Sequence, residues 1–193
     1  MIAAGELKPG MALRLEGQIF KVLEAEFKAG AGQAGGLVKT KLRNVATGRL
    51  SEPHLRPELR VEDLDLERQT MQFLYSDAEN GFFMNPQSYE QAEIPLATLG
   101  PAAKFLKPEM KLPVEFFEGR PISVVFPPAV EVRIADTAPP VHSGQDNTWK
   151  EATLENGVTI RVPLFIGKDE IVRVDVESGR YLERVRLERK RGA

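Results

Sequence analysis

A chain of 193 residues with 42% hydrophobic content has material for one large domain or two to three small ones. Its formal charge of −2 excludes a uniformly basic nucleic-acid binder, so any such contact must come from locally placed Lys and Arg. Cysteine is absent, which removes disulfides, thiolate metal sites and a Cys nucleophile, and fits a reducing cytoplasm.

The opening MIAAGELKPGM lacks a basic stretch followed by an apolar run, and no apolar run approaches the ~18 residues of a membrane span. Neither export nor a membrane anchor is expected. Leu13 and Leu15 precede Gly17, and Phe20 and Val22 follow it, the alternation of strands broken by a turn. IFKVLEAEF continues as a strand, KAGAGQAGG as a loop of small residues, and LVKTKLRNV as a second strand. In that second strand Val38, Thr40 and Leu42 share one face, and Lys39, Lys41 and Arg43 the other. The acidic VEDLDLE, residues 61 to 67, reads as a joint between domains and a solvated strand edge. Met71, Phe73 and Tyr75 then lead into the turn SDAENG. LGPAAKFLK is the one convincing helix candidate, with Pro101 near its start and Pro108 barring extension. KLPVEFFEGRPISVVFPPAVEVRI resumes the strand rhythm, and Pro127-Pro128 within it marks a second, extended joint. GVTIRVPLFIGKDEIVRVDVESGRYLERV contains two tight turns, at Gly167 to Glu170 and at Ser178-Gly179. The class is all-β, in three units near 1–64, 65–128 and 129–193. At about 64 residues each they are small for independent stability, so neighbours are expected to dock.

GAGQAG, Gly30 to Gly35, matches the G-x-G-x-x-G spacing of a dinucleotide-binding loop. That fingerprint needs a helix opening on its last glycine, because the pyrophosphate sits on free N–H groups at a helix start. A strand follows instead. The P-loop pattern also fails, since Gly36-Leu37 stands where Lys-Ser/Thr is required. The loop reads as a hairpin tip, and no cofactor is expected. Residues 28 to 49 carry five basic side chains (Lys28, Lys39, Lys41, Arg43, Arg49) and no acidic one. A slim finger above a basic strand face suits a crevice lined by phosphates, while composition alone favours a flexible loop on a strand with an ordinary solvated face.

The remaining chemistry is sparse. His54 and His142 lack HExxH or Cys partners, and Glu62, Asp63, Asp65 and Glu67 run along one extended segment without an EF-hand glycine, so no metal site is expected. No G-x-S-x-G or comparable nucleophile pattern occurs, and no catalytic residue is assigned. Trp149 beside Lys150 suits either base stacking or packing.

Several segments together resemble the bacterial translation elongation factor P family: LKPGMALRLEGQIFKVLEAEF with KTKLRNVATGR, FLYSDAENGFFMNPQSYEQ, and GRPISVVFPPAVEVRIADTAP. Lys150, Ala152, Gly157, Ile160, Val162-Pro163 and Ile166 follow that family's third-domain signature in order and spacing. The signature's last glycine falls at Asp169, so a rebuilt turn is expected there. The resemblance covers the chain end to end. It implies a KOW/SH3-like barrel followed by two OB-fold barrels in an elongated, tRNA-like arrangement. It further implies a cytoplasmic monomer that engages both ribosomal subunits, peptidyl-tRNA and mRNA in the exit site, and that relieves stalling at consecutive prolines.

In that family the hairpin tip carries a lysine or arginine that is often modified. Aligned forward, Lys28-Ala29-Gly30-Ala31-Gly32-Gln33-Ala34 places Ala31 at the functional position; counted back from Lys41-Leu42-Arg43, the apex falls nearer Gln33 and Ala34. Neither register has a basic apex, so no modification is expected, as in a paralogue with a longer loop. The family's codon-reading loop corresponds to Ser143, Gly144, Gln145, Asp146 and Asn147, whose order departs from Gly-Asp-Thr. The resemblance places Lys39, Lys41, Arg43, Tyr181 and Arg184 against tRNA or rRNA. A nonribosomal OB-fold binder of RNA or oligosaccharide is the competing reading.

Overall fold

The computed structural model describes residues 1–30, 36–141 and 148–185. It separates into two compact units, residues 1–100 with 107–125, and residues 101–106 with 126–193.

The first unit holds two sheets. In the N-terminal one, β1 (Ile2–Ala3), β7 (Arg60–Leu64), β2 (Ala12–Leu15), β3 (Gln18–Lys28), β4 (Leu37–Asn44) and β5 (Leu50–Ser51) lie side by side, and β6 (His54–Leu55) pairs with β4. Leu13, Val22, Val38, Leu42, Leu55 and Val61 form its core, as the period-two alternation requires. Thr40 sits among them at 1% exposure because its hydroxyl donates to the carbonyl of Pro53 at 2.8 Å. Glu16 and Gly17 join β2 to β3 with φ of 51° and 77°, a two-residue turn whose twist suits a hairpin.

The acidic segment opens in β7, which pairs with β1 at Arg60 and Val61 and with β2 at Glu62 to Leu64, and Asp63, Asp65 and Glu67 are exposed as expected. β7 lies between β1 and β2, buries Val61 and Leu64, and turns its carboxylates to cations: Asp63 accepts from the Met1 amine at 2.8 Å and Glu62 from Arg14 at 3.2 Å. Alternation of apolar and acidic residues suits a strand with one wet face, and Asp65-Leu66 separate β7 from the next strand.

The second sheet runs β10 (Gln91–Pro95), β9 (Asn80–Met84), β8 (Glu67–Ser76), β11 (Lys111–Phe117), β12 (Arg120–Val124), with the terminal strands β10 and β12 close enough to curl it towards a barrel. Met71, Phe73, Phe83, Ile94, Leu112 and Val114 are buried, with Phe73 and Phe83 edge to face at 5.3 Å between ring centres. Ala12 and Leu64 of the first sheet share a buried cluster with Ile122 of β12, which helps join the two sheets into one unit.

The segment expected as one helix begins earlier and divides. α1 (Leu96–Leu99) makes a single turn, Gly100 at φ 63° ends it, and residues from Gly100 to Phe105 continue as a 3-10 helix. Pro101, with no N–H, cannot extend an α-type ladder across that point. Ala102 and Phe105 from the 3-10 helix belong to the core of the second unit.

That unit's sheet runs β15 (Thr159–Pro163), β14 (Trp149–Leu154), β13 (Ala129–Thr137), β16 (Ile171–Asp175), β17 (Tyr181–Arg184), the same strand order as the sheet before it. In each, the first strand pairs on both sides and carries a bulge, at Phe73/Tyr75 in β8 and at Ile134/Asp136 in β13. A bulge bends a strand enough to serve both walls of a small barrel. The expected turns are present. Asp175 accepts from the Ser178 N–H at 2.7 Å, and Gly179 takes φ 67°. Asp169 itself adopts φ 65°, so the glycine-type turn survives with an aspartate in it instead of being rebuilt.

Candidate nucleic-acid interface

The β3–β4 hairpin projects its register from Phe20 opposite Asn44 to Lys28 opposite Leu37, with a bulge between Val22 and Glu24. Gly36 allows the tip to close: a Cβ there would lie 2.5 Å from the Phe27 ring. Of the tip residues, Lys28 and Gly30 are described, while Ala31, Gly32, Gln33 and Ala34 lie outside the described residues.

The cations of this hairpin divide three ways. Lys39 is exposed opposite Glu26. Lys41 reaches Glu24 at 3.4 Å, and Lys28 reaches Glu26 at 3.7 Å. Such exposed pairs add little stability and release their cations readily to a phosphate. Arg43 departs from the expected exposed face. It is 8% exposed, and its guanidinium donates to the Leu99 carbonyl at 3.5 Å, beside Gly100. Alternation assigned its face correctly, but α1 covers that face at this one position.

The second unit brings Trp149, Thr159, Ile160, Arg161, Gly179, Arg180 and Tyr181 around a groove of about 430 Å³. Trp149 is half exposed and stands edge to face with Tyr181, 6.1 Å between ring centres. Burial raises the Tyr181 phenol above its ordinary range. Arg184 lies outside the groove lining. It sits 5.5 Å from the Phe165 ring centre and 3.3 Å from Glu170. Arg161 and Arg180 with the half-exposed Trp149 ring suit a base and its phosphates together. Alternation within single strands gave no sign that Arg161 on β15 and Arg180 before β17 would meet Trp149 on β14.

Ser143, Gly144, Gln145, Asp146 and Asn147, with His142, lie outside the described residues. The approach to them is anchored: Lys150 donates to the Ala138 carbonyl and to the Pro139 carbonyl, and the Val141 N–H donates to Leu164 at 3.0 Å. A signature lysine thus holds a loop base. Among the described residues no three His, Cys, Asp or Glu side chains gather as a metal cluster, and no helix is long and apolar enough to cross a membrane.

Family models match along nearly the whole chain: the elongation factor P KOW-like domain over residues 3–61, the elongation factor P OB domain over 66–124, and the elongation factor P C-terminal domain over 130–184. Elongation factor P of Clostridium kluyveri is 39% identical over 96% of this chain and 100% of its own, and that of Clostridium botulinum 40% identical over the same shares. Among solved structures, a eukaryotic translation initiation factor 5A from Methanococcus jannaschii aligns with TM-score 0.44 and 16% identity, over 64% of this chain and 92% of that one. The all-β architecture and its two OB-type strand orders agree with the family-model matches and the Clostridium relatives, and the chain belongs to the elongation factor P family of translation factors.

Proposed function

We propose that this chain acts as a cytoplasmic monomer on the ribosome, contacting both subunits beside peptidyl-tRNA, and promotes peptide-bond formation at consecutive prolines without a modified tip residue. The observation that carries this reading is the β3–β4 hairpin, a long two-stranded finger whose tip segment, residues 29 to 36, contains no basic side chain. Proline is a conformationally restricted substrate, and a finger that steadies the peptidyl-tRNA in attack geometry lowers the barrier by positioning alone. Lys28, Lys39 and Lys41 supply the phosphate contacts along its strands, and the Trp149–Tyr181 groove with Arg184 supplies RNA contacts in the second unit. Residues 143 to 147 meet mRNA in the exit site. The units of this reading are 1–64, 65–128 and 129–193, with the 3-10 helix exchanged into the last.

The missing basic apex also favours a second reading, a paralogue with an altered or regulatory role. Reconstituted synthesis of a polyproline peptide separates the two. Rescue by the native, unmodified chain supports the first; ribosome binding without rescue, together with gain of rescue by Ala31→Lys or Ala34→Arg, supports the second. Failure to sediment with ribosomes at near-physiological salt overturns both and leaves a nonribosomal RNA binder. Intact mass equal to the sequence mass, with or without Met1, checks the unmodified tip.

A further inference from the structure

From residue 69 to residue 103 the chain carries four carboxylates, Asp77, Glu79, Glu90 and Glu93, and no lysine or arginine. That stretch contains β9, β10 and most of β8, and its register sets three of its side chains in a row. Tyr75 on β8 pairs with Phe82 on β9, and Phe82 pairs with Glu93 on β10. Directly opposed residues of antiparallel strands point to the same face. This is the face turned from the core, because the neighbours Phe73, Phe83, Ala92 and Ile94 are the buried ones. The Tyr75 and Phe82 rings stack at 4.7 Å with 24° between planes, and Tyr75 is 58% exposed. The amide of Asn80 donates to Glu93 at 2.7 Å and holds the carboxylate at the end of the row. Asp77 and Glu79 occupy the turn between β8 and β9, beside the stacked pair. Lys111 is the one cation of β11, and it pairs with Gln72 farther along β8.

We propose that this row is a docking site for a basic protein segment, with an arginine side chain laid on the Tyr75–Phe82 stack and its free N–H groups directed to Glu93. Flat aromatic faces attract guanidinium, and a carboxylate in the same row supplies an acceptor for its N–H groups. The four carboxylates disfavour the other natural occupant of an aromatic platform: a phosphate backbone would meet like charge, and residues 69 to 103 carry no lysine or arginine to receive it. The molecule thus separates its charges, with cations gathered on the β3–β4 hairpin for nucleic acid and carboxylates on the β8–β10 face for protein. This inference does not depend on the ribosomal reading, because its test contains no ribosome.

The test titrates a fluorescent Arg-Gly repeat peptide against the full chain at near-physiological salt, with a citrulline-Gly peptide and a short single-stranded RNA as alternative probes. The Arg-Gly peptide binds, the citrulline peptide binds at least about fivefold more weakly, and Tyr75→Ala or Phe82→Ser each weakens the Arg-Gly peptide by about fivefold or more. Glu93→Gln weakens it as well, whereas Glu58→Gln, on the first-sheet side, leaves it unchanged. Thermal unfolding confirms that each variant is folded, and Tyr75→Ala decides alone where Phe82→Ser is not. Equal peptide affinity for wild type and Tyr75→Ala overturns the proposal. So does absence of peptide binding, RNA binding that depends on Tyr75, or a dimer of the chain that Tyr75→Ala dissolves.

Discussion

The ammonium of Lys21 on β3 donates to the carboxylate of Glu115 on β11, an ion pair between the two sheets of the first unit. The Glu115 side chain is 1% exposed and also accepts from Arg68 at 3.1 and 3.0 Å and from the Ser123 hydroxyl. A buried carboxylate is tolerated because its acceptor sites are all engaged by charged or hydroxyl donors. Glu115→Leu therefore leaves Lys21 and Ser123 desolvated without an acceptor, and should cost about 3–5 kcal/mol. The double variant Lys21→Met with Glu115→Leu should recover most of that loss, since a well-packed apolar pair often replaces a buried ion pair without penalty. Guanidinium unfolding of the two variants checks this, and a double variant no more stable than the single one would show that packing fails at the site.

Acid sensitivity follows from the same carboxylate. Burial pushes the Glu115 carboxyl up, but donation from Lys21, Ser123 and Arg68 outweighs it and holds the group below the ordinary glutamate range. Asp63, bonded to the Met1 amine, Asp77, bonded to the Asn80 and Glu79 N–H groups, and Asp175, bonded to Ser178, shift the same way. A carboxyl with a lower value folded than unfolded contributes its full stability above the unfolded value and loses it as pH falls through the folded one. Denaturation midpoints should thus hold from neutrality to about pH 5 and fall as pH drops further, through and below about pH 4, and Glu115→Gln should flatten that dependence. An equally steep profile in the variant would assign the acid loss to the three aspartates.

Glycine substitutions should rank by what a Cβ would meet. At Gly48, φ is 70° and a Cβ would fall 2.2 Å from the Ala97 carbonyl oxygen, which is backbone and cannot swing aside. Gly48→Ala should cost roughly 2–4 kcal/mol through strain and overpacking. At Gly100, φ is 63° and the obstacle is the Arg43 guanidinium, 2.7 Å away, which can shift partly. Gly100→Ala should cost roughly 1–3 kcal/mol. Gly10, with φ 90° and open space around it, bears the backbone strain alone, about 1–2 kcal/mol. Thermal melts should order the three Gly48, Gly100, Gly10, and a reversal would mean that the β4–β5 turn moves away from α1.

Strand alternation explains what was legible in this fold. It set the inward faces of β3 and β4 and both late turns correctly, because each is decided within a few neighbouring residues. It gave no sign that β1 would pair with Val61, because Ile2 lies nearly sixty residues away in the chain. Arg43 was missed for the same reason: its cover, α1, is more than fifty residues away in the chain. Asp169 shows the converse, a residue that departs from a motif while its backbone retains the motif's left-handed turn. Of the candidate site, the bare tip and the basic hairpin were legible from composition, whereas the Trp149 groove depends on three strands meeting.

That groove yields the last prediction. Trp149 offers a half-exposed ring, and Arg161 and Arg180 line the same wall. Trp149→Ala removes a stacking face and should lower affinity for a short single-stranded RNA by an amount equivalent to about 1–3 kcal/mol. Its effect should hardly depend on salt, since no charge is lost. Arg161→Gln or Arg180→Gln should instead reduce the slope of log affinity against log salt by about 0.7 for each phosphate contact removed. Because Trp149 meets Tyr181 edge to face, Tyr181→Phe should preserve the aromatic wall and most of the affinity, while Tyr181→Ala should approach the Trp149→Ala loss. Filter binding at several salt concentrations reads all five variants. Loss of affinity in the arginine variants without a change in slope would mean that these side chains shape the groove and do not touch phosphate.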